Sequence, residues 1–165
     1  MLRILKTLKQ DQWYGEAVLS LLKHAPSSAQ IEILSGHGSQ LVIHVDKLTI
    51  LLKRGSNRTS KKLKRLGSWR CTFSFPVQNL LGKERELGRQ VVVLMVCHKG
   101  PIIAFDYPDS IGSKNYCYVS SIKRVNYSSS NTLLYSVSGV VASKAKRPDP
   151  ARIFWGRILK MNIGA

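Results

Sequence analysis

The sequence predicts an α+β fold in which helices flank a mainly antiparallel sheet. Three observations carry this. The longer runs of apolar residues at helical spacing lie near each end of the chain. Between them lie short alternating or apolar runs, joined by connections too short for parallel crossovers. The run VVVLMVC at 91–97 is apolar on both parities, so both faces of its sheet must be covered. A sheet of about six to eight strands follows, with an N-terminal amphipathic helix packed on it and a C-terminal helix.

Residues 1–10 place Leu2, Leu5 and Leu8 between Arg3, Lys6 and Lys9, which fits a short amphipathic helix or an edge strand. This segment has no long apolar core and no small-residue cleavage site, so no secretory signal is expected. Asp11 suits an N-cap. Trp13, Ala17 and Leu21 follow helical spacing, Tyr14, Val18 and Leu22 widen the stripe, and Pro26 ends it. A helix over 12–24 is expected. Ile31, Ile33 and Leu34, then Leu41, Ile43 and Val45 across the loop SGHGS, predict a hairpin. Asp46-Lys47 makes a second turn before a strand at 48–52. In 60–66, Leu63 and Leu66 share a face, Ser60 suits a cap and Gly67 a stop, so a short cationic helix is expected, with a flexible loop as the alternative.

From 69 to 75, Trp69, Cys71, Phe73 and Phe75 fall on one parity and Arg70, Thr72 and Ser74 on the other. That is the period of a half-buried strand, stopped by Pro76. Residues 77–89 mix leucines with glycines and charges and read as a loop with at most a turn of helix. After the central strand 91–97, HKG turns the chain back into 101–105. A loop at 107–114 leads to strands at 116–122 and 132–141, separated by a loop containing SSSN. SKAKRPDP is a basic linker. Asp149 or Pro150 then opens a last helix, with Ile153, Phe154, Ile158, Leu159 and Met161 on one face. The expected organisation is a single α+β domain over 1–142, with 143–165 a basic linker and C-terminal helix packed on the same domain.

The charge balance is the outlier. Among 165 residues, 26 are Lys or Arg and 9 are Asp or Glu, giving a net charge of +17 and a pI near 10.2. Such a chain attracts polyanions at range. The excess is clustered: Lys53, Arg54, Arg58, Lys61, Lys62, Lys64 and Arg65 run into Arg70, with no acid between Asp46 and Glu84. Lys144, Lys146 and Arg147 form a second block. Lys123 and Arg124 lie among Tyr116, Tyr118 and Tyr127, and aromatic faces beside cations can stack bases. These cations are the expected nucleic-acid contacts, because phosphate binding supplies most of the affinity for DNA or RNA. The plainer reading of the same charge is a solvated surface that keeps the protein soluble.

Signals for chemistry are poor. No G-x-S-x-G, P-loop or G-x-G-x-x-G occurs, and no cofactor is implied. Cys71, Cys97 and Cys117 form no C-x-x-C and no Cys/His pair at metal spacing, which predicts a reducing, cytoplasmic setting without structural metal. No apolar run reaches the roughly 18 residues of a membrane span. The expectation is therefore a non-catalytic nucleic-acid-binding protein. Two rivals stand beside it. One is a metal-dependent nuclease built on Asp46, Asp106, Asp109 and Lys47, although the D…(D/E)-x-K spacing is absent. The other is a basic interaction module docking on an acidic protein partner.

Overall fold

The computed structural model describes residues 14–37, 40–57, 66–97, 100–109, 116–141 and 149–163. The expected N-terminal segment at 1–10 lies outside them. Helix α1 covers 14–24 and is followed by strands β1 (Ile31–His37), β2 (Gln40–Val45), β3 (Leu48–Asn57) and β4 (Leu66–Phe73). Helix α2 (Phe75–Glu86) leads to β5 (Gln90–Cys97), β6 (Ile102–Asp106), β7 (Ser121–Tyr127) and β8 (Thr132–Val141). A single 3-10 turn, Pro150–Arg152, precedes α3 (Trp155–Ile163). The α+β class, the mainly antiparallel pairing and the helices near both ends are as the sequence predicts.

The eight strands form one sheet that forks at β3. Along most of its length β3 lies between β2, antiparallel, and β5, parallel, from Leu48↔Gln90 to Gly55↔Cys97. Strands β1 and β6 complete this inner sheet. The last residues of β3 leave it: Ser56 pairs with Arg70 and Asn57 with Trp69 of β4. Strand β4 then pairs with β8, and β8 with β7, to make a three-stranded outer sheet.

The fork gives two cores, one on each face of the inner sheet. Tyr14, Ala17 and Leu21 of α1 and Trp155, Ile158 and Leu159 of α3 cover one face, meeting Ile50, Leu52, Val92 and Leu94. The indole N–H of Trp155 donates to Ser20 Oγ at 2.8 Å and ties the two helices together. The other face meets Trp69, Cys71, Phe73, Tyr135 and Val137 of the outer sheet and Val77 and Leu81 of α2. Every residue from Val91 to Cys97 is 2 % exposed or less, as a strand covered on both sides requires. Each such side chain contributes about 1.5–3 kcal/mol by leaving water. Among the described residues no helix is long and apolar enough to cross a membrane.

Five expectations are corrected. The loop at 77–89 is helix α2. Pro76 stands in its first turn, where a missing N–H costs no hydrogen bond, and Lys83 and Arg85 favour its C-terminal end. Val77, Leu81 and Glu84 are its buried stripe. Phe75 therefore belongs to this helix and is 52 % exposed, while the strand before it ends at Phe73. Strand β3 runs on past 52 through the start of the basic stretch. Leu66 and Gly67 open β4 rather than closing a helix, and the ladder shifts register between Gly67 and Ser68, a place that suits glycine; residues 60–65 of the expected cationic helix lie outside the described residues. The strand expected at 116–122 sits at Ser121–Tyr127. Tyr116 and Cys117 are instead buried one in each core beside the segment that precedes α3, Cys117 bridging Ile153 and Tyr116 O accepting from Phe154 N at 2.8 Å.

Candidate nucleic-acid interface

Strand register decides where each described cation points. Trp69, Cys71 and Phe73 face the core, so Ser68, Arg70 and Thr72 project from the opposite, outer face of the outer sheet. Ser136 pairs with Arg70 on one side and with Lys123 on the other. Ser56, Arg70, Ser136 and Lys123 thus form one row across β3, β4, β8 and β7. The next rows add Thr72 with Leu134 and Val125, then Thr132 with Tyr127. At the other end Ser121 Oγ and Ser138 Oγ lie 2.6 Å apart. No carboxylate stands in these rows.

The remaining described cations point elsewhere. Lys53 shares the parity of Leu51 and lies between the sheets, its Nζ 5.9 Å from the centre of the Phe73 ring. Burial there lowers its pKa. Arg54 is exposed on the α1 side, where its charge opposes the burial that pushes the Tyr14 hydroxyl up to about 12. Arg124 donates to Asp109 Oδ1 at 2.8 Å and to the Pro108 carbonyl at 3.1 Å. The hydroxyl of Tyr135 donates to the same carbonyl. Arg58, Lys61, Lys62, Lys64, Arg65, Lys144, Lys146 and Arg147 lie outside the described residues.

Their points of attachment are nevertheless fixed by the strands. Residues 58–65 leave β3 at Asn57 and enter β4 at Leu66. Leu66 pairs with Val141, the residue from which 142–148 departs. That second segment returns at Asp149, which bridges Pro101 and donates to the Gly100 carbonyl at 3.3 Å, beside the end of β5. Residues 1–13 enter α1 at Tyr14, near Arg54. All three basic segments are therefore anchored where β3 and β5 end. Of the nine carboxylates in the chain, six (Glu32, Asp46, Glu84, Glu86, Asp106 and Asp109) stand at the other end, where β3 and β5 begin. Lys47, Arg85, Arg89 and Arg124 partly offset them there. The described carboxylates nearest the basic segments are Glu16 and Asp149, the latter 3.9 Å from Arg152.

The acidic end holds two arrangements that the sequence reading missed. Glu84 is buried against β2 and β3, accepting from Thr49 Oγ1 at 2.6 Å, with His44 Nε2 at 2.8 Å and Arg89 Nε at 3.5 Å. This network pins the end of α2 to the sheet. Beside it a groove of about 550 Å³ is lined by Arg85, Arg89, Gln90, Asp106, Tyr107 and Asp109, among others. Asp106 Oδ1 accepts from Gln90 Nε2 at 3.1 Å and from Tyr116 OH at 3.3 Å. Asp109 is paired with Arg124, and Asp46 Oδ1 accepts from Gln30 N at 3.1 Å. Among the described residues no group of three His, Cys, Asp or Glu side chains is placed to hold a metal ion. Cys71, Cys97 and Cys117 are free and buried, and burial raises all three thiol pKa values, Cys71 to about 12 and Cys117 to about 11.

No family model matches the chain, and neither a curated protein nor a solved structure matches it.

Proposed function

We propose that the protein binds nucleic acid through its cationic end and performs no chemistry on it. The observation that supports this best is the segregation of charge along the strands. The described residues from which the basic segments depart gather at one end of the fold, and most carboxylates stand at the other. A solubility surface needs charge but gains nothing from gathering it in one place. A polyanion gains a contact from each cation it can reach at once. The paired state of Asp106, Asp109 and Asp46 gives the nuclease reading no comparable support.

The test is a salt titration of binding to single- and double-stranded DNA and RNA, with and without Mg²⁺. The wild type is compared with a variant carrying Lys61, Lys62, Lys64 and Arg65 changed to Ala, and circular dichroism checks that both are folded. Each lost phosphate contact should flatten the slope of log K against log [salt] by about 0.7–0.9, for all sequences alike. Absence of binding to any nucleic acid at moderate salt would overturn the reading in favour of an acidic protein partner. Mg²⁺-dependent cleavage abolished by Asp106→Asn or Asp109→Asn would replace it with the nuclease.

A further inference from the structure

The outer face of the β4–β8–β7 sheet carries an inference about which form of nucleic acid is bound, and it rests on the nucleic-acid reading above. Arg70 is partly buried, and its Nε is shut off from solvent with no hydrogen-bonding partner among the described residues. A sheltered donor on a charged group costs free energy unless something accepts from it. No acid lies in its rows to do so. Lys123, two strands away across Ser136, is exposed and likewise has no ion-pair partner among the described residues. With strands about 4.8 Å apart, these two backbones are about 10 Å apart, and both side chains are long enough to meet over the Ser136 hydroxyl between them.

A guanidinium, an ammonium and a hydroxyl brought together there would make a set of donors with no acceptor of equal charge, which is the chemistry a phosphate takes. Tyr127 stands on the same face, further along β7, and is 47 % exposed. Val125 lies between Lys123 and Tyr127 and is 41 % exposed. Val125 and Tyr127 belong to neither apolar core and stay exposed beside the buried Leu134. A cation row beside an exposed ring on a sheet suits a chain whose bases are free to stack, and a duplex hides those faces. We propose that this face binds a single strand of nucleic acid, a phosphate seated over Ser136 between Arg70 and Lys123 and a base stacked on Tyr127.

The experiment measures fluorescence anisotropy of labelled oligo(U), oligo(dT) and a duplex of equal length, for wild type, Tyr127→Ala and the double variant Arg70→Gln with Lys123→Gln. Circular dichroism and thermal melting check the fold, and Tyr127→Phe keeps a ring in place. The expected result is tighter binding of the single strands than of the duplex. Tyr127→Ala should weaken single-strand binding by about 5- to 100-fold and Tyr127→Phe should restore it. The double variant should flatten the single-strand salt slope by about 1.4, two contacts at about 0.7 each. A preference for oligo(U) over oligo(dT) would identify RNA as the source of the strand, and the reverse DNA. Binding unchanged in both folded variants would overturn this site while leaving the cationic end as the binding surface. Displacement by poly-L-glutamate as readily as by oligo(U) would overturn it in favour of an acidic peptide. No binding of any oligonucleotide by the wild type would remove the underlying reading itself.

Discussion

Asp106 is held in a tension that can be measured. Burial raises its pKa, while the hydrogen bonds from Gln90 and Tyr116 act the other way and do not cancel it. The folded chain therefore binds this proton more tightly than the unfolded chain. Stability is lost as pH rises from the unfolded carboxylate value through the higher folded one, and the whole cost persists above it. Asp106→Asn keeps an acceptor oxygen for both donors and removes the charge. It should leave stability at pH 7 equal or higher, and it should level the part of the acid-range profile due to this group. Urea unfolding at pH 7 and at pH 4 checks this, and an Asn variant clearly weaker at pH 7 would show that the charge is compensated. At this scale the sequence was legible where parity alone decides. Trp69 and Phe73 are buried side by side, as alternation required. Lys53 was not legible as an inward side chain, because its strand had no visible alternation after Leu52 and a lysine can lay its stem along apolar surface.

Two close approaches separate what individual elements can absorb. A Cβ at Gly100, in the connection from β5 to β6, would fall 2.5 Å from Cζ2 of Trp69. Trp69 is 2 % exposed, and its rigid ring is enclosed by the core between the sheets. At Gly55, near the end of β3, the nearest atom would be Met95 Cγ at 2.6 Å. That side chain is flexible and can rotate. Gly100→Ala should therefore cost about 1–3 kcal/mol and Gly55→Ala less, both read from denaturant midpoints at constant slope. Equal costs would mean that Met95 is as firmly held as Trp69. Elements with a strong period, α1, β2 and β8, were legible, and so was β5 as an unbroken apolar run. Helix α2 was not, because Gly82 and the run Lys83–Glu86 dilute a stripe that only packing against Thr49 and His44 reveals. Strand β7 was shifted because neither of its parities is apolar throughout, Arg124 and Asn126 following Ile122 on the inner one, while the buried tyrosine and cysteine before it imitate a strand.

At the scale of the whole molecule the class of fold could be read, and its fork could not. Local runs identify strands, but nothing local says that β4 leaves β3 after two residue pairs to find β8. The clustering of charge in sequence was plain. That two of its blocks attach to neighbouring strand ends was not, since Leu66 meets Val141 only through that long-range pairing. The same pairing has a consequence for motion. The outer sheet closes late along the chain and is joined to the inner one through few backbone bonds, so it should form a separate cooperative unit. Its amides in β4 and β8 should exchange with solvent through an opening of lower free energy than the β3–β5 ladder, as native-state hydrogen exchange would show. A single common free energy for both would mean that the core between the sheets locks them together. Two basic segments attach to the strands of that unit, so on the proposed function a bound polyanion must be released or rearranged whenever it opens. Ligand should then slow exchange in β4 and β8 first, by an amount that grows with the logarithm of its concentration.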